Sequence, residues 1–268
     1  CNYYQSKRSI LMKTSGVKNK GTIIGAVIFL IAVIFLFQQI KNCNLGTILH
    51  HVEQTPKVIL AAAFALTALN YLFLTFYDYL AFRYVNTGLP LKKIAFTSFI
   101  SFVFGNNLGL SGVSSSAVRF RFYSDWGVSS KKIIHIIAFC LASFWVGLAA
   151  TLGIVLVLEP VTIPGNKVLA SVHPLVIGIV AIVFILFYLA FTFFYKQPVT
   201  IKKLSFKLPS FKLSVVQIII AAADWFLAAA VFYVLLPDYT KIHFMPFVAV
   251  FMIALIAGLQ IKVKLKKT

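Results

Sequence analysis

The sequence predicts an all-α polytopic integral membrane protein, with about six transmembrane helices plus one re-entrant hairpin at about 94–118. Three observations carry this. Apolar residues make up 60% of the chain and charged residues only 12%, where soluble domains have about 45–50% and roughly 25%. Apolar stretches recur at roughly 22–40, 58–82, 133–158, 172–195, 215–236 and 245–259. All but the short last one have the length that ~30 Å of hydrocarbon requires. The 25 Lys and Arg residues sit in the short segments between these stretches. Lipid-facing surface excludes charge and water-facing surface needs it, so no part of the chain is polar enough to be a soluble catalytic domain.

The net charge is +19, with only 6 acidic residues. In a soluble protein that balance points to nucleic acid. Here the cations are set between spans, where they orient the chain and attract anionic headgroups, and no nucleic-acid partner is expected. Lys7, Arg8, Lys13, Lys18 and Lys20 precede an apolar run in the order a signal peptide uses. Gln38-Gln39-Ile40-Lys41 stands where a small-residue cleavage site would be, so this is read as an uncleaved first span. The expected organisation is a basic cytoplasmic N-terminus over 1–21, a transmembrane domain over 22–259 and a basic tail over 260–268. Cys1, Cys43 and Cys140 have no metal or redox spacing, and the odd count argues against a disulfide framework. His50-His51 belongs to no HExxH pattern and there is no GxxxxGK[ST], so neither metal, cofactor nor nucleotide is expected.

Segment 94–118 differs from the other apolar stretches. Ile94–Phe104 is apolar, but Gly105 to Ser116 is rich in glycine and serine and contains Asn106 and Asn107. Helix propensity falls there, and two asparagines facing lipid would be costly. If the segment enters and leaves on the cytoplasmic side, 21 Lys and Arg lie inside and 4 outside; if it crosses, the partition is 10 to 15. The positive-inside rule selects the first arrangement, with both termini cytoplasmic. Irregular backbone at membrane depth survives only in protein or beside a cavity, which makes this hairpin the first site candidate.

Within it, Gly105, Asn106, Asn107, Gly109 and Gly112 allow close backbone approach, and a half-helix starting near Ser114, Ser115 and Ser116 would aim free N–H groups at an anion. A packing patch of small residues is the alternative. Arg119 and Arg121, followed by Tyr123, lie two apart and so on different helix faces; one can turn inward to a phosphate while the other reaches the interface. Arg121 is the expected phosphate contact. Asp224 sits within a span, where an isolated carboxylate costs about 2.5–3.5 kcal/mol on insertion scales. It should therefore face the bundle and have a partner, Arg119 or Arg121 or a cationic ligand group. Asp78 and Arg83 are read as an interfacial pair. The stretch 196–212, with Lys202, Lys203, Lys207 and Lys212 among Phe206, Leu208 and Phe211, reads as a positive-inside loop able to hold anionic lipid heads.

The run FTSFISFVFGNNLGLSGVSSSAVRFRFYSDWGVS (96–129), with YDYLAFRYVNTGLP (77–90) before it and Asp224-Trp225 to Leu235-Leu236-Pro237 after it, resembles the flippase-like transmembrane region of the lysylphosphatidylglycerol synthetases, the bacterial multiple peptide resistance factors. The resemblance covers roughly 60–258. It implies a membrane domain that moves aminoacylated phosphatidylglycerol, chiefly the lysyl form, to the outer leaflet of the bacterial cytoplasmic membrane, giving resistance to cationic antimicrobial peptides. The family continues past its AGL into a glycine motif of the type S-x-x-P-G-G-x-G-x-x-E and then a soluble transferase domain. Here Gly258-Leu259 leads instead into Gln260–Thr268. The expectation is therefore of a truncated member or half of a split pair, with no lysyl transfer by this chain alone. An alternative is a non-transporting membrane subunit, or inactive fragment, that docks a separately encoded lysyltransferase. A transporter of another anionic or polyprenyl-linked substrate is a third. Expected partners are anionic and aminoacylated phospholipids, a separate lysyltransferase domain and a second copy of the chain.

The topology has a direct test. With the native cysteines replaced, single cysteines at Asn86 and Ser130 should be labelled from the same side of the membrane; labelling from opposite sides would remove the re-entrant segment.

Overall fold

Hydrocarbon offers the backbone no water, so apolar runs become helices that satisfy their own amides. The computed structural model describes residues 46, 52–107, 111–161, 173–195, 197–201, 204–236 and 242–265. In chain order the elements are α1 (Lys57–Tyr84), α2 (Leu91–Asn107), α3 (Ser111–Asp125), α4 (Ser130–Leu158), α5 (Pro174–Phe194), β1 (Val199–Ile201), β2 (Leu204–Phe206), α6 (Phe211–Val234) and α7 (Phe244–Leu265). Helices α1, α4, α5 and α6 are long and apolar enough to cross a membrane, and α7 contains a shorter apolar stretch, Phe244–Ile256. This is an all-α polytopic membrane protein. The expected first span, the basic N-terminus, Cys1, Cys43, His50-His51 and Gly109 lie outside the described residues.

The described residues form two compact units. In the larger, spanning 55–99 and 129–265, α6 packs against α1 and α4, and also touches α5 and α7; α4 packs in turn on α5. Helices α4 and α6 approach closely at Gly147 of α4. A Cβ built there would lie 2.6 Å from the Ala221 Cβ and 2.8 Å from its backbone. Small residues let helix backbones approach in this way where there is no hydrophobic force between helices in lipid. Further along the same interface, Leu152, Val155 and Leu156 of α4, Trp225 and Ala229 of α6 and Val248 and Met252 of α7 form one buried apolar cluster. The Trp225 indole donates to the Phe144 carbonyl at 3.3 Å. The opposite surface of α5, with Val180, Leu186 and Phe187 more than half exposed, is the kind a lipid-facing helix presents.

The helix ends are local in origin. Pro174 opens α5, where its missing N–H is not needed, and the Ser210 hydroxyl accepts from the Leu213 N–H at 3.4 Å to cap α6. In the smaller unit, α3 stops at Gly127, whose φ of 81° favours glycine; there the Val128 N–H reaches back to the Tyr123 carbonyl at 3.0 Å.

Two expectations are corrected. The glycine- and serine-rich stretch is not irregular from Gly105 to Ser116: α2 continues to Asn107 and α3 is under way by Ser111 rather than near Ser114–Ser116. Serines tolerate this because their hydroxyls bond back to the preceding turn, as Ser116 does to the Gly112 carbonyl. The segment 196–212 is not simply a loop. Its β-branched and aromatic residues pair as an antiparallel hairpin, Val199 with Phe206 and Ile201 with Leu204. Helix α7 runs on to Leu265.

Gly147→Ala should lower the thermal midpoint of the detergent-solubilised protein, with a cost of about 1–3 kcal/mol for forcing a methyl into a packed crossing. An unchanged midpoint would show that α4 and α6 can separate freely.

Candidate functional site

Asp224 is 8% exposed, inside the larger unit. Each carboxylate oxygen has its own donor from α1: Asn70 Nδ2 to Oδ1 at 2.7 Å, and Tyr77 Oη to Oδ2 at 2.9 Å. The Asn70 amide also donates to the Asp224 carbonyl at 2.9 Å. The expected burial is therefore present, but the expected arginine partner is corrected to an amide and a hydroxyl. Asn70 and Tyr77 are seven residues apart, two helical turns, and so present both donors on one face of α1. An intramembrane Asn in the run 58–82 was the signal that sequence reasoning passed over.

A second polar cluster also went unread. Gln217 of α6, 1% exposed, accepts from Tyr188 Oη of α5 at 2.7 Å and donates to Ser143 Oγ of α4 at 2.7 Å. Ser143 Oγ donates in turn to the Phe139 carbonyl at 2.8 Å, and Tyr188 also reaches Ser214 at 3.4 Å. Ser214, Gln217, Ala221 and Asp224 are spaced by three, four and three residues, all buried. This is one helical stripe, and the spacing would have revealed it. Hydrogen bonds between membrane helices average ~0.6 kcal/mol and reach ~1–2 kcal/mol, so the three helices are joined firmly here.

Along α2, Thr97 and Ser101 are fully buried, one turn apart, and neither hydroxyl has a hydrogen-bond partner in the described structure. Ser98, also buried, donates to the Leu74 carbonyl of α1 at 3.1 Å. In the smaller unit, Ser101, Gly105, Ser114, Ser115 and Tyr123 are buried, whereas Asn106 is exposed and Gly112 intermediate. The Ser114 hydroxyl reaches the Phe104 carbonyl at 3.5 Å, so the facing turns of α2 and α3 touch. Asn107 closes α2.

The two arginines divide as their spacing requires. Arg119 is 2% exposed, with its guanidinium 4.8 Å from the Phe102 ring centroid. Arg121 is about half exposed and pairs with Asp125 one turn on at 3.1 Å. The expectation that Arg121 turns inward is thus corrected in favour of Arg119. The expected interfacial pair is corrected as well: Asp78 is fully buried, while Arg83, five residues on, lies exposed on another face.

Fold and polar interior together define a multi-pass α-helical membrane protein with chemistry held inside its helices. The chain belongs to the family of the uncharacterized protein slr0712 of Synechocystis sp., to which it is 37% identical over 238 residues, covering 88% of this chain and 73% of that protein. It is similar over the same shares to the inner membrane protein YbhN of Escherichia coli, at 27% identity. A more distant likeness, 24% over 122 residues, links 46% of the chain to 14% of the phosphatidylglycerol lysyltransferase of Staphylococcus aureus. No family model matches the chain.

A double-mutant cycle tests the Asp224 site. Asn70→Leu should destabilise by about 1–3 kcal/mol, the range for stranding a buried acceptor. In an Asp224→Leu background the same change should cost clearly less; equal costs in both backgrounds would show that the contact is not energetically coupled.

Proposed function

We propose that this protein is a lipid translocation domain of the bacterial inner membrane, with both termini cytoplasmic, that carries aminoacylated phosphatidylglycerol, chiefly lysyl-phosphatidylglycerol, to the outer leaflet. The observation that carries the reading is the hydrogen-bonding capacity held inside α2. Two buried hydroxyls, Thr97 and Ser101, have no partner among the described residues in a protein whose surface is largely apolar. Buried polar groups left open are normally functional or hydrated. A lipid headgroup crossing hydrocarbon needs such groups, while its acyl chains lose nothing by staying in the bilayer. The site residues proposed for the headgroup are Gly105, Asn106, Asn107, Gly109, Gly112, Ser114, Ser115, Ser116, Arg119, Tyr123 and Asp224; Arg121, exposed and paired with Asp125, is proposed to orient the chain instead. Of these, Arg119 is the better phosphate contact, since its planar fork suits phosphate and its side chain is buried. Asp224 suits a cationic aminoacyl group. The likeness to phosphatidylglycerol lysyltransferases supports the choice of lipid class.

The test is a leaflet-resolved measurement. Cells supplied with a phosphatidylglycerol lysyltransferase domain are probed with a membrane-impermeant amine reagent, with and without this chain. Lysyl-phosphatidylglycerol should reach the outer leaflet faster with it. Arg119→Lys should slow that transfer by roughly tenfold, the loss of one charge-assisted hydrogen bond, while Arg121→Lys leaves it unchanged. Equal outer-leaflet labelling with and without the chain would reject the reading; transferase recruitment that still depended on the chain would then favour a docking subunit.

A further inference from the structure

We infer that the junction between α5 and α6 is a binding site for an anionic phospholipid of the adjacent leaflet, separate from any translocation path. A cavity of about 800 Å³ lies there, lined by Phe193 and Tyr195 from the end of α5, by Lys207 and Ser210 just before α6, and by Phe211 and Lys212 at its start. Three features make it a site for a lipid rather than for a soluble anion.

The first is charge. Lys207 and Lys212 are both exposed at the cavity, and neither is in a salt bridge among the described residues. They belong to a stretch, 196–212, with five Lys and no Asp or Glu. Basic segments beside a span attract anionic headgroups, each Lys adding a comparable increment.

The second is the apolar approach. Phe187, Phe191 and Tyr195 stack along one face of α5, with centroid separations of 6.2 and 4.9 Å. All three rings are exposed, Phe187 by 67%. They form a continuous aromatic rail on a membrane-spanning helix that ends at the cavity's rim, where an acyl chain can lie while its headgroup meets the lysines. Aromatic side chains at the headgroup level commonly take this position.

The third is that the rim is held in place. The Tyr84 hydroxyl donates to the Lys207 carbonyl and its ring stacks on Phe139 at 5.2 Å, which ties the segment before α6 to the end of α1. Phe193 meets Phe211 edge-on at 5.5 Å, which fixes the other wall. The cavity is therefore bounded by elements bonded to the helical bundle, and the β1–β2 hairpin lies in the chain between its two walls.

The site concerns lipid retention and not transfer, so it stands or falls apart from the function proposed above. The experiment uses the full chain, delipidated in detergent, with dioleoyl-phosphatidylglycerol, dioleoyl-phosphatidylcholine, tail-free glycerophosphoglycerol and inorganic phosphate added in turn and bound lipid counted by native mass spectrometry. Phosphatidylglycerol should bind in preference to phosphatidylcholine. The double variant Lys207→Gln/Lys212→Gln should lose on the order of tenfold of that preference. Lys92→Gln, an exposed lysine at the start of α2, should retain it. Phe187→Ala should weaken both lipids alike. Because all these side chains are exposed, circular dichroism should be unchanged in each variant. A double variant with the full preference would overturn the site, and so would binding of phosphate or glycerophosphoglycerol as tight as that of the lipid.

Discussion

A polar side chain inside hydrocarbon has to find its partner within the protein, and in the larger unit those partners converge on α6. Ser214, Gln217 and Asp224 lie on one buried stripe of that helix and reach α5, α4 and α1 respectively. Between them, Ala221 meets Gly147 at a distance that no larger pair allows. The two features depend on each other. Short side-chain bonds such as Gln217 to Ser143 at 2.7 Å need closely spaced backbones, and the small residues supply that spacing. The apolar cluster around Trp225 and Met252 then fills the remainder of the interface. It gives packing but little direction, because apolar contacts are equally available to lipid. The polar stripe sets which helices are neighbours and in what register.

The α2–α3 pair follows a different logic. Its 17- and 15-residue helices fall short of the ~20 residues that a comfortable span takes, and its sequence is serine and glycine rather than leucine. A serine hydroxyl that bonds back to its own helix is satisfied without leaving it, as at Ser116. Two hydroxyls, at Thr97 and Ser101, have no hydrogen-bond partner among the described residues. The polar stripe of α6 is hydrogen-bonded throughout, whereas the reading of function rests on polar groups of α2 that have no partner among the described residues.

What could be read in the sequence follows the same division. The spans were legible because lipid imposes length and apolarity, and α1, α4, α5 and α6 fall within a few residues of the expected stretches. The burial of Asp224 was legible because a carboxylate in a span has few alternatives. Its partners were not, since an arginine elsewhere in the chain looked stronger than Asn70 and Tyr77, and only the α1–α6 packing decides the matter. The inward arginine could be narrowed to two by helical geometry but not chosen, because Arg119 and Arg121 are chemically alike and differ only in what faces them. The extent of helix through Gly105–Ser116 was misread because glycine and serine propensities are measured in water, where the backbone has an alternative partner.

The identity of the Asp224 partners matters for what that residue can do. An arginine within reach would cancel its charge and lock the pair, since breaking a buried ion pair strands a charge at a cost of several kcal/mol. Asn70 and Tyr77 hold both oxygens in place yet carry no charge of their own. An acid fixed by neutral donors keeps its orientation while its electrostatic demand stays open, so a cationic group arriving from outside the bundle has something to gain. The same holds in mirror image for Arg121. Its pairing with Asp125 at an exposed position neutralises it locally, while the Arg119 guanidinium is buried over the Phe102 ring. The exposed cation is thus met by a charge within its own helix, and the buried acid by neutral donors from another.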